Sequence, residues 1–141
     1  GWAKPVPYNP YNLKNQRSGT FIVAIAGVFT NFLIALFFGL LIRFSGELGI
    51  GSQAFLEIAS MVIFVNVLLG VFNLIPIPPL DGSKVLFSLL SPTLYYIEEF
   101  LSRYSIILLI LLIFFLWRLV LPAVYFLFAL FSGVSLGILN I

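Results

Sequence analysis

The chain has 141 residues, of which 62% are hydrophobic and only 9% are charged. A soluble domain carries about 25% charged residues, so this composition cannot build a water-soluble surface. The net charge of +2 comes from 7 basic and 5 acidic residues that form no cluster, which argues against a nucleic-acid partner. The absence of cysteine excludes disulfides and thiolate metal sites. The lipid bilayer is therefore the expected surrounding of an integral membrane protein.

Residues 1–18 are predicted to form a short extended or β segment at the membrane surface. Prolines punctuate it and forbid a helix, at Pro5, Pro7 and Pro10. Trp2 suits the headgroup level, where amphipathic rings anchor membrane proteins. More basic residues precede the first apolar block than follow it, which places the amino end of this multi-pass protein in the cytoplasm.

Long apolar blocks follow, and each is long enough to cross a bilayer. Residues 19–44 are predicted to form a transmembrane helix, residues 54–90 a helix broken by prolines, and residues 104–139 one or two C-terminal helices. The last block contains Arg118 and Pro122 and is too long for one straight span. We therefore expect an all-α polytopic membrane protein with about three to four transmembrane helices, in a single domain over residues 1–141.

Asparagines occur in both of the first two predicted helices. Asn31 lies in a stripe of small residues on the first helix, and Asn66 and Asn73 share a face of the second. Polar side chains within a span avoid lipid and turn toward the interior of the bundle. Two interpretations of these asparagines stay open. They form hydrogen bonds that pack the helices together, or they contact the backbone of a bound substrate.

Asp81 ends a proline-rich run that is predicted to interrupt the helix inside the membrane. A carboxylate at the bilayer centre costs roughly 2.5 to 3.5 kcal/mol and persists there only with a partner. From the residues alone, Asp81 has three possible roles. It is a functional group, a cap for a short helix that begins near Gly82, or the partner of Lys84 three residues on.

The string from Asn66 to Gly82 reads NVLLGVFNLIPIPPLDG. It closely resembles the asparagine-proline-aspartate-glycine motif of the site-2 protease family of intramembrane zinc metalloproteases. Flanking elements agree in order with that family. GWAKPVPYNP at residues 1–10 resembles the extended segment before the family's third core helix. AGVFTN at residues 26–31 resembles a motif of that helix, with Val28 in place of the usual proline.

The resemblance implies an enzyme that hydrolyses peptide bonds in or near transmembrane segments of membrane-protein substrates. In the family, zinc is held by the histidines of an H-E-x-x-H helix and by the aspartate of the proline-rich motif, which is Asp81 here. The resemblance also assigns Asn31 and Asn73 to holding the substrate backbone. The chain contains no histidine, so we expect the H-E-x-x-H helix to precede Gly1 in a complete protein. This chain alone is then expected to be inactive.

Two other classes of function fit the same composition. A pseudoprotease, a non-catalytic membrane module, would bind membrane partners and would never have had the histidines. A small transporter fragment would form an ion site at a broken helix near the midplane. It would need a second broken helix in a corresponding position, and the sequence predicts none, although Pro122 offers a weak break. The native sequence upstream of Gly1 distinguishes the protease from the pseudoprotease.

Overall fold

A computed structural model describes residues 16–90 and 92–133, and the regular secondary structure of these residues is entirely helical. The helices are α1 (Gln16–Arg43), α2 (Gln53–Asn73), α3 (Asp81–Leu89), α4 (Tyr95–Arg103) and α5 (Ser105–Ser132), with a 3-10 turn at Pro92–Leu94 before α4. The all-α expectation is confirmed for this part of the chain.

The predicted extended segment 1–18 is only partly tested by this structure. Residues 1–15 lie outside the described residues, so the extended conformation predicted for them stays a prediction. Residues 16–18 belong to α1, and the prediction was wrong for them. The physical reason is that the last proline of the segment is Pro10, so no missing N–H or ring clash prevents a helix from Gln16 onward.

Two helices, α1 and α2, are long and apolar enough to span a membrane, over Ser18–Arg43 and Gln53–Asn73. α5 bends by 63° between Ser105–Phe115 and Val120–Ser132, and it adds a third candidate span if both parts are counted together. The bend precedes Pro122, which lacks an N–H for the preceding turn and whose ring crowds the carbonyl there. The described residues thus contain two or three candidate spans, against the expected three to four.

The first two helices share an apolar core with the second part of α5. Its buried residues are Ala35, Ile42, Ala59, Ile63, Val67, Val120, Val124 and Phe128. Gly70 of α2 lies so close to Phe32 of α1 that a Cβ on it would come within 2.7 Å of the ring. Helices in lipid gain little from the hydrophobic effect, so close packing of this kind is what holds them together.

The carboxyl ends of α1 and α5 lie side by side. Arg43 donates a hydrogen bond from Nη2 to the carbonyl oxygen of Leu130, at 3.1 Å. Next to it, α5 ends at Gly133, whose φ of 70° suits the left-handed cap of a helix. The second part of α5 therefore ends on the same side of the bundle as α1.

Gly39 provides a test of the contact between α1 and α5. A Cβ on Gly39 would lie 2.7 Å from the carbonyl carbon of Phe131, which is closer than a backbone tolerates. We expect Gly39→Ala to lower the free energy of unfolding by about 1–3 kcal/mol through overpacking. Alanine would otherwise favour the helix by about 1 kcal/mol, so the expected sign is opposite to that of helix propensity. Thermal unfolding in detergent measures the effect.

The matched control for this prediction is Gly46→Ala, in the turn that follows α1. A Cβ there meets nothing within 4 Å among the described residues, so its stability should stay close to that of the wild type. If Gly39→Ala is as stable as Gly46→Ala, the close contact between α1 and α5 does not exist.

Candidate functional site

Between α2 and α3, residues 74–80 are not helical, yet their backbone N–H groups are paired. A nearby carbonyl oxygen accepts a hydrogen bond from each of Leu74, Ile75, Ile77 and Leu80. The remaining positions are Pro76, Pro78 and Pro79. Proline has no N–H, so these residues leave no donor to satisfy. Irregular backbone at membrane depth requires such a solution, because lipid offers no hydrogen bonds.

Gly82 lets α3 begin directly against the end of α2. A Cβ on Gly82 would collide with the carbonyl oxygen of Leu74, so only glycine fits this position. Ser83 is buried beside it and donates its hydroxyl to the carbonyl oxygen of Leu80, at 2.7 Å. These contacts fix the first turn of α3 on the non-helical segment, and with it the position of Asp81.

Asp81 is the first residue of α3, and its two carboxylate oxygens have different neighbours. Oδ1 accepts a hydrogen bond from Nζ of Lys84, at 2.7 Å. Oδ2 faces Gly27 of α1, at 3.6 Å from the position that a Cβ on this glycine would take. The ion pair is partly covered, with 30% of the Asp81 side chain and 42% of the Lys84 side chain exposed.

The contact with Gly27 shows at which level along the α1 span the carboxylate of Asp81 lies. Gly27 belongs to the candidate span Ser18–Arg43. At about 1.5 Å per residue, it lies roughly 13 Å from Ser18 and roughly 24 Å from Arg43. The carboxylate is therefore at the level of the bilayer interior, where a charge requires a partner. Lys84 is the partner that the structure provides.

Of the two structural roles predicted for Asp81, the structure contains the ion pair and not the cap. α3 begins at Asp81 itself, and Leu80 occupies the N-cap position without a side-chain cap bond. Asp81 still stabilises α3 as a negative charge in the first turn, where the helix dipole is positive. The ion pair engages only one of the two carboxylate oxygens, so it is compatible with a role of Asp81 as a metal ligand. That role stays a prediction.

Asn31 and Asn73, predicted to hold a substrate, are both half-buried. Asn31 lies one turn along α1 from Gly27 and one turn before the fully buried Ala35, so it is on the inward side of this helix. Asn73 is the last residue of α2. Asn66 donates its side-chain amide to the carbonyl oxygen of Val62 in its own helix, at 2.8 Å. Substrate binding by Asn31 and Asn73 stays a prediction.

Gly27 is the site residue that the sequence did not assign. It was recognised as a small residue in the stripe of α1 and in the motif AGVFTN, but its contact with Asp81 was not predicted. The available signal was its spacing, since it stands one helical turn before Asn31. That spacing places both residues on the same face of α1 without saying which part of the chain packs there.

The described residues supply one candidate ligand for zinc and not a complete site. They contain no group of three or more His, Cys, Asp or Glu side chains able to hold a metal ion, and the full sequence has neither histidine nor cysteine. A catalytic zinc takes about three protein ligands and a water. Asp81 fits one of these positions, since carboxylate oxygens bind zinc, and its ion pair with Lys84 is made by Oδ1 and not by Oδ2.

The fold and the site define a helical membrane protein that holds a carboxylate at the depth of a membrane span. Residues 45–114 match peptidase family M50. Over 97 residues the chain is 35% identical to a protein of Bacillus subtilis (strain 168) called "Putative zinc metalloprotease YwhC", in an alignment that covers 65% of the chain and 44% of that relative. Both comparisons support the site-2 protease family, peptidase family M50, as the family that this chain resembles.

The chain spans less than half the length of its Bacillus subtilis relative. The match to the family includes Asp81 and Asn73 but not Gly27 or Asn31. No solved structure gives a significant match to the chain.

The isolated 141-residue chain is expected to retain far less than one zinc ion per molecule. Asp81 alone is too weak a site, because tight zinc binding needs several ligands acting together. Metal analysis after dialysis against a chelator measures this, and the isolated Asp81→Asn chain should show the same background. Stoichiometric zinc in the wild-type chain would mean that Asp81 has further ligands within it.

Proposed function

We propose that the complete protein containing this chain is an intramembrane zinc metalloprotease that hydrolyses peptide bonds in or near transmembrane segments of membrane-protein substrates. The observation that carries this proposal is the position of Asp81. Its carboxylate begins a helix at the depth of a membrane span and turns one oxygen toward α1. The residue lies within the match to the M50 family, and the relative in Bacillus subtilis bears the name of a zinc metalloprotease.

The proposed metal site combines Asp81 with ligands from outside this chain. An H-E-x-x-H helix, expected upstream of Gly1, would provide the two histidines and the glutamate that serves as general base. Bound zinc would supply a water of lowered pKa and would polarise the peptide carbonyl. Asp81 would contribute a negatively charged oxygen ligand, and the fixed first turn of α3 would hold that oxygen in place.

The substrate has to unwind before it can be cleaved, because a transmembrane helix pairs its own backbone groups. The unwound stretch then needs hydrogen-bond partners inside the membrane. Asn31 and Asn73 each carry an amide that both donates and accepts, and we propose that they bind the substrate backbone. We also propose that the segment from Trp2 to Asn9, which lies outside the described residues, adds a strand edge alongside the substrate.

Substitution of Asp81 in the complete protein tests the ligand assignment. Asp81→Asn keeps the size of the side chain and removes the charge that binds the metal. We expect both Asp81→Asn and Asp81→Ala to lose zinc and to lower cleavage by more than about 100-fold, since even outer partners of metal ligands contribute about 10–100-fold. Substrate cleavage and zinc content are measured side by side in the same preparations.

The matched control is Glu99→Gln, which removes another carboxylate that pairs with a basic side chain. Glu99 accepts a hydrogen bond from Arg103 on α4 at 2.9 Å, outside the site, so this variant should keep both zinc and cleavage. Near-normal cleavage by Asp81→Asn would overturn the ligand assignment. A complete wild-type protein with neither zinc nor cleavage would favour the non-catalytic membrane module.

We also propose that the amino end of the chain lies in the cytoplasm. The basic residues on the two sides of the α1 span are Lys4, Lys14 and Arg17 before it and Arg43 at its end. Such a bias is typical of a cytoplasmic amino end. The chain has no cysteine, so single cysteines report their side of the membrane without background. In intact cells, an impermeant thiol reagent should label Glu47→Cys and not Asn12→Cys. The reverse pattern would contradict this orientation.

A further inference from the structure

We propose that Lys84 is a positioning residue, which orients Asp81 for metal binding by holding one of its two carboxylate oxygens. This inference rests on the proposed zinc site. It assigns the lysine a role that neutralisation of a partly covered charge would not require.

The first step is the division of the Asp81 carboxylate between two neighbours. Nζ of Lys84 donates to Oδ1 at 2.7 Å, while Oδ2 points toward Gly27 on α1. A carboxylate can rotate about its bond to Cβ and can present either oxygen or both. With Oδ1 held, Oδ2 is the oxygen presented toward α1, so the hydrogen bond selects one ligand atom and one direction.

The second step concerns the backbone of Lys84, which is held in place by its neighbours. It lies on the first turn of α3, whose position is set by the close packing of Gly82 against the end of α2. Its carbonyl oxygen accepts a hydrogen bond from the hydroxyl of Ser88, at 2.6 Å. A donor held on the same rigid turn as the ligand transmits that rigidity to the carboxylate, as outer partners of metal ligands commonly do.

The third step separates positioning from simple neutralisation, because the two roles predict opposite changes in zinc affinity. An ammonium group near a divalent cation repels it. If Lys84 only neutralised Asp81, its removal should therefore tighten zinc binding. If Lys84 orients the carboxylate, its removal should weaken zinc binding, typically by about 10–100-fold.

The experiment uses the complete protein in detergent and compares wild type with Lys84→Met. Methionine has a similar length but neither charge nor donor. We expect zinc affinity, measured by competition with a chelator, to fall by about 10–100-fold. The absorption spectrum of the cobalt-substituted protein should change as well, because it reports the geometry of the ligands. Lys84→Arg keeps the charge and the donors, so it should remain closer to wild type than Lys84→Met.

The matched control is Arg103→Met, which breaks another ion pair on a helix. Arg103 and Glu99 are separated by 2.9 Å, with 67% and 71% of their side chains exposed, and their loss should leave zinc affinity unchanged. Thermal unfolding of the metal-free proteins confirms folding. If Lys84→Met does not fold, Lys84→Leu lacks the same charge and donor and carries the same expectation.

Unchanged or tighter zinc binding by folded Lys84→Met would overturn the positioning role. Failure of the proposed function would look different. In that case the wild-type protein would hold no zinc, or Asp81→Asn would bind it as tightly as wild type. The two sets of variants therefore separate an error about Lys84 from an error about Asp81.

Discussion

The backbone between α2 and α3 has to satisfy its own hydrogen bonds, and the candidate site depends on how it does so. Each N–H in residues 74–80 finds a carbonyl oxygen, and the remaining positions are prolines without an N–H. One helix can therefore end and another begin at membrane depth. If α2 instead continued as one helix through residues 74–80, Asp81 would lie on the side of that helix and not at the start of a new helix beside α1.

Gly82 then determines where the first turn of α3, and with it Asp81, lies against the end of α2. Oδ2 of Asp81 is within contact distance of Gly27 on α1. Lys84 engages the other oxygen. Packing and one ion pair thus orient the carboxylate within the chain itself. A protease of the site-2 family needs a ligand of this kind, and the proposed function assigns the remaining ligands to the complete protein.

The carboxyl ends of α1 and α5, which lie far from Asp81, are held together by different contacts. Gly39 packs against the backbone of Phe131, and Arg43 binds the carbonyl oxygen of Leu130 at the end of α5. These contacts join the two helices at their carboxyl ends, well away from Asp81. The scaffold and the site can therefore be tested separately, by substitutions at Gly39 on one side and at Asp81 or Lys84 on the other.

The sequence by itself determined the membrane environment and the helical class, and its motifs predicted the family resemblance and a site at Asp81, because apolar length and motif spacing are local properties of a chain. It also named Lys84 as a possible partner, since three residues on a helix bring side chains together. Only the tertiary structure decided between the ion pair and the cap, brought Gly27 to Asp81, and placed the end of α5 beside Arg43. Those outcomes depend on which faces of distant helices meet, and hydropathy and spacing do not specify that choice.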